Sequence, residues 1–137
     1  MKRNNLYVLL AIILLVLSVI NFLYYLSSQP LEEKTLKTSL IVSNVSGFDL
    51  NNTALEFSKV RSGFPSQRKV SIANSYDFPI RVLISSRGNI TEFLSYPKNV
   101  SFDVNEIKNI NFAAKIPKNL TLGDRYSGEV TFKMYPK

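Results

Sequence analysis

Leu6 to Leu26 is an apolar run of 21 residues broken only by Ser18 and Asn21, and it constrains everything that follows it in the chain. At 1.5 Å per residue, an α-helix over this run is about 30 Å long, the hydrocarbon thickness of a bilayer. A helix buried in a soluble protein is seldom apolar on every side for so long. The run therefore predicts one transmembrane helix, with the lipid bilayer as the partner of residues 6–26.

Lys2 and Arg3 precede the run. Positive charge is retained on the cytoplasmic side, so the N-terminus is expected inside and the chain from about Ser27 onward outside. Tyr24 and Tyr25 then fall near the outer interface, where an aromatic ring with a polar tip is favoured. A basic start before an apolar stretch also opens a cleaved secretion signal. Here bulky residues fill Ile20 to Leu26, and Ser27-Ser28 make no A-x-A-like cleavage site. The segment is read as an uncleaved signal anchor, a single-pass span in the cell membrane.

With 137 residues in all, one ordinary domain remains, and 45% hydrophobic residues are enough for its core. Residues 1–28 are expected to be a cytoplasmic stub and transmembrane helix, 29–38 a polar stalk containing Pro30, and 39–137 an extracytoplasmic domain. Cys, His and Trp are absent. Disulfides, thiol chemistry, imidazole acid–base catalysis and the usual zinc, copper and haem ligands go with them, so no cofactor or metal is expected.

From Ser39 onward, short alternating segments are divided by turn residues, the pattern of an antiparallel sheet with one wet face. Val70 and Ile72 alternate with Lys69 and Ser71, and Ile80, Val82 and Ile84 with Arg81, Leu83 and Ser85; these two segments read as neighbouring strands. Asn74 to Pro79 between them is rich in turn formers. Further strands are expected over Leu40–Val45, Ala54–Val60, Val100–Val104, Ile107–Ile116 and Gly128–Tyr135. Ile110, Phe112, Ala114 and Ile116 share one face, as do Val130, Phe132 and Met134, so these are the expected core positions. Seven or eight strands in about 100 residues suit an all-β, immunoglobulin-like antiparallel sandwich. The Cys-Trp-Cys core of antibody-type domains is missing.

The runs Leu55-Glu56-Phe57, Gly63, Arg68 to Asn74, Phe78 to Val82, Ile116-Pro117-Lys118 to Gly123 and Tyr126 to Val130 resemble hydin-like and related immunoglobulin-like domains of archaeal and bacterial surface proteins. The resemblance covers roughly residues 50 to 135. It implies a surface-displayed sandwich serving as spacer, adhesion module or assembly subunit, and it carries no catalytic residues to transfer.

Five Asn-x-Ser/Thr sequons follow the anchor, at Asn44, Asn51, Asn89, Asn99 and Asn119, none with proline in the middle. They are candidate glycosylation sites of a glycoprotein. Asn, Ser and Thr also collect in turns for backbone reasons, which is the competing account.

The net charge of +7 is dispersed. Arg61, Arg68-Lys69, Arg81 and Arg87 are its densest group, without a nucleic-acid-binding signature, so no nucleic acid is expected. Asp49, Asp77, Asp103 and Asp124 stand apart in the chain, outside nucleophile, metal-loop or phosphate-cradle motifs. Gly63, Gly88, Gly123 and Gly128 read as turn or bulge residues.

Two non-enzymatic readings follow. The first is an anchored cell-surface module whose domain binds an envelope protein, surface layer or glycan through loops or an edge strand. Gly128–Tyr135 is the candidate edge because no later segment can cover it, although a final strand can equally lie centrally. The second is a subunit or uncleaved accessory protein of a pilus, archaellum or other membrane complex. Asn4-Asn5 after the basic pair is unlike the small residue usual at an archaeal prepilin cleavage site.

Overall fold

The computed structural model describes residues 3–43 and 54–137. Two compact units divide at Pro30: Met1–Pro30 and Leu31–Lys137. The first is a single helix, α1 (Arg3–Ser27), in which Asn5–Ser27 is long and apolar enough to cross a membrane. Its apolar side chains lie bare of protein cover. α1 ends where polar groups take over its last carbonyls: the Ser27 and Ser28 hydroxyls and the Ser28 N–H all donate to Tyr24 O. Pro30, two residues on, cannot supply the N–H that further helix would need.

The second unit is mostly β-strand in two sheets. Its strands are β1 (Glu32–Ser43), β2 (Leu55–Arg61), β3 (Pro65–Ala73), β4 (Ile80–Gly88), β5 (Leu94–Ser95), β6 (Asn99–Phe102), β7 (Ile107–Lys115) and β8 (Arg125–Pro136). The larger sheet has the order β2-β1-β8-β4-β6 and the smaller β3-β7-β5. All pairs are antiparallel except β1 with β2. In that parallel pair Ser39 is opposite Glu56 and Leu40 opposite Ser58, so Phe57 is an extra residue in β2, followed by Ser58 at φ 51°.

One core joins the sheets. The expected inward positions Ile110, Phe112, Ala114, Ile116, Val130, Phe132 and Met134 are buried, with Leu40, Val42, Phe57, Val82 and Phe102. Phe112 of β7 meets Phe132 of β8 edge-on across the core, ring centroids 6.0 Å apart, in the orientation that aromatic quadrupoles favour.

Two expectations are corrected, and an alternative left open is decided. The stalk over 29–38 is mostly strand: β1 starts at Glu32 and pairs with β8 from Glu32↔Met134 onward. Its first residues look like a linker because Glu32 and Lys34, on the same side of the strand as Leu36 and Leu40, are exposed while Leu40 is buried. The charges settle in register instead, with Glu33 3.5 Å from Lys133.

The Val70–Ile72 and Ile80–Ile84 segments are not neighbours. β3 pairs with β7, and β4 with β6 and β8 in the other sheet. The intervening loop crosses between sheets and is pinned by Asn74, only 2% exposed. Its Oδ1 accepts from Tyr76 N, and its Nδ2 donates to Phe78 O and Asp103 O, so the turn chemistry of this segment ties a crossover rather than a hairpin.

β8, the candidate edge strand, takes the other position open to a final strand: it is central, paired with β1 on one side and β4 on the other. Chain order does not decide sheet order. A last strand that buries Val130, Phe132 and Met134 gains most where both flanks are covered.

Candidate functional site

Alternate residues of the large sheet point away from the core and build a polar outer face. On β1 these are Glu33, Thr35, Lys37 and Ser39, each opposite an outward residue of β8: Lys133, Thr131, Glu129 and Ser127. β4 continues the rows with Leu83, Ser85 and Arg87. One row is thus Thr35, Thr131 and Ser85, with the two threonine hydroxyls 3.2 Å apart. The next is Lys37, Glu129 and Arg87, a carboxylate strand position flanked on both sides by cations. Opposite charges facing each other across strands support the sheet by a few tenths of a kcal/mol up to about 1 kcal/mol per pair.

The Lys37–Glu129–Arg87 row borders an open groove of about 640 Å³, which Ser39, Ser127, Glu56 and Asn89 also line. Gly88 and Gly128, paired across β4 and β8, line it as well. A β-carbon on either would strike the other strand's backbone. Asn89, in the turn after β4, fixes the groove's end: its Oδ1 accepts from Ser127 N at 2.8 Å. The groove's size is that of small-molecule sites, but its openness and charged rim are unlike the enclosed apolar pockets such ligands favour. It can offer hydrogen bonds and paired charges to a polar peptide segment or a sugar.

Both end strands of the large sheet carry cationic guards from the small sheet. Arg68 of β3 donates through Nε to Glu56 O of β2, at 2.8 Å. Lys108 of β7 donates through Nζ to Ser101 O of β6, at 2.6 Å. The same ammonium is 3.0 Å from Glu106 Oε2 and 5.4 Å from the centroid of the Phe102 ring. Glu106 in turn accepts from Asp103 N, and that bond, with Lys108 beside it, holds its carboxyl below the usual carboxylate range.

Three of the candidate glycosylation residues are exposed: Asn89 after β4, Asn99 at the start of β6 and Asn119 between β7 and β8. Asn44 and Asn51 lie outside the described residues. The middle residue of the Asn89 sequon, Ile90, is fully buried. The isolated aspartates are not brought together as a set: Asp77 and Asp103 belong to the loops around Asn74, and Asp124 precedes β8 beside Val42, at the other end of the unit. Asp49 is outside the described residues. Among the described residues no group of three His, Cys, Asp or Glu is placed to hold a metal ion.

Sequence reasoning gave Lys37 and Glu129 no functional role and took Arg87 only as part of a dispersed basic group. Their signal was their shared outward phase with the hydrophobic alternation, but the row exists only through strand register. Comparison of the chain with protein-family models, with curated proteins and with solved structures returned no match.

Proposed function

We propose that the chain is a membrane-anchored cell-surface interaction or structural module: α1 holds it in the cell membrane with its N-terminus cytoplasmic, and the β unit is displayed outside, binding an envelope protein, surface layer or glycan without catalysis. The observation that carries this reading is the succession of a 23-residue apolar span, Asn5–Ser27, and a self-contained β unit that begins at Leu31. Lys2 and Arg3 supply the orientation. The two sheets with a common core are, in this reading, an immunoglobulin-like sandwich of the hydin-like kind. Exposed Asn89, Asn99 and Asn119 suit glycan attachment on an outward-facing domain.

With Arg68 and Lys108 occupying carbonyls of the end strands, recognition belongs to the outer face, at the groove beside Lys37, Glu129 and Arg87. Protease added to intact cells is expected to remove the β unit and leave α1 behind; protection until the membrane is permeabilised overturns the orientation. Reversing the groove charges, Lys37→Glu with Arg87→Glu, is expected to abolish cross-linking of the folded protein to its envelope partner. Undiminished cross-linking overturns the groove as the recognition surface.

A further inference from the structure

Both in-membrane polar residues of α1, Ser18 and Asn21, lie on one face, while Phe22 borders that face and Tyr24 lies about 60° outside it. At 100° per residue, Tyr7, Ala11, Ser18, Asn21 and Tyr25 fall within an arc of about 80°, shared with Leu14. Leu9, Ile13, Val16 and Ile20 make the opposite side. The spacing 7, 11, 14, 18, 21, 25 alternates four and three, the seam of a left-handed helix pair. Small residues on such a seam let backbones approach, and hydroxyls and amides bond across it.

Asn21 says what covers this face. It lies about five residues from the middle of the span, roughly 8 Å off the midplane and so within the hydrocarbon. Its Nδ2 donates back to Leu17 O at 2.8 Å, which uses one of its two N–H groups. Among the described residues its Oδ1 has no donor. A carboxamide is both donor and acceptor, so it is complementary to itself. Copies inserted with the same orientation bring Asn21 to Asn21 in one layer and Ser18 to Ser18 in the layer before.

We propose that α1 is a self-association helix: a second copy of this chain packs in parallel against the face of Tyr7, Ala11, Ser18, Asn21 and Tyr25, with the Asn21 amides hydrogen-bonded to each other. The proposal rests on α1 spanning the membrane, as in the reading above. It makes the displayed unit at least two-fold, so each weak surface contact is presented twice.

The chain has no cysteine, so single-cysteine variants of the full-length protein report one position each. Oxidation in native membranes is expected to give disulfide dimers with maxima at positions 7, 11, 14, 18 and 25, and several-fold lower yields at Leu9, Ile13, Val16 and Ile20. In liposomes, Asn21→Leu is expected to weaken the dimer about tenfold, with Asn21→Gln retaining most of it. Flat yields, maxima on the opposite face, or adducts only with a different protein overturn the proposal. Alkaline carbonate extraction separates the two readings: protein that stays with the membrane but forms no dimer defeats self-association alone, whereas release into the supernatant defeats the anchor.

Discussion

Gly88 of β4 and Gly128 of β8 stand directly opposite each other with no room for a β-carbon on either. One on Gly88 would be 2.5 Å from Ser127 O and 2.6 Å from Gly128 Cα; one on Gly128 would collide with Arg87 O and come within 2.9 Å of Ile90 Cγ2. Gly88 also has φ 111°, which disfavours any side chain. Gly128→Ala is therefore expected to push the strands apart at this pair and cost about 1–3 kcal/mol. In a domain of this size, thermal denaturation should report a midpoint lower by at least ~4 °C. An unchanged midpoint would mean that the backbones separate freely there.

Thr131 sits in the middle of β8, opposite Thr35 on one side and Ser85 on the other. Proline in place of a residue flanked by two strands deletes a ladder donor and forces its ring into a covered position, and it is found essentially only at sheet edges. Thr131→Pro should cost an amount comparable with the whole stability of a small domain, ~5 kcal/mol. Loss of the sheet signal in circular dichroism is the expected result. A folded variant would contradict the central position of β8.

Glu106 ties pH to the β6 edge. Its carboxylate accepts from Asp103 N at 2.8 Å and holds the Lys108 ammonium that occupies Ser101 O. These partners lower its folded pKa below the ordinary 4.5. A depressed carboxylate pKa adds stability above the unfolded value, and that contribution is lost as pH falls through the folded one. Glu106→Gln should thus be less stable than the parent at neutral pH, and the difference should close below pH 4.5. Urea midpoints across that range measure it; a difference independent of pH would assign the effect to shape rather than charge.

Much of this organisation is legible along the chain because it is local. The span of α1 follows from the hydropathy of one segment, and the inward faces of β7 and β8 follow from the two-residue period of a single strand, as the burial of Ile110, Phe112, Val130 and Phe132 bears out. Asn74 announces a turn by its own side-chain chemistry, whichever strands that turn joins. What tertiary structure alone decided is pairing. Polar Glu32 to Lys34 reads as linker until β8 lies beside it, the segments of Val70 and Ile80 read as neighbouring strands until Asn74 and Asp103 tie the crossover, and Lys37, Glu129 and Arg87 become one row only in register. The physical reason is that a strand's alternation is set by its own backbone, whereas its neighbours are chosen by the burial of every inner face at once, a sum over the whole domain that no single segment contains.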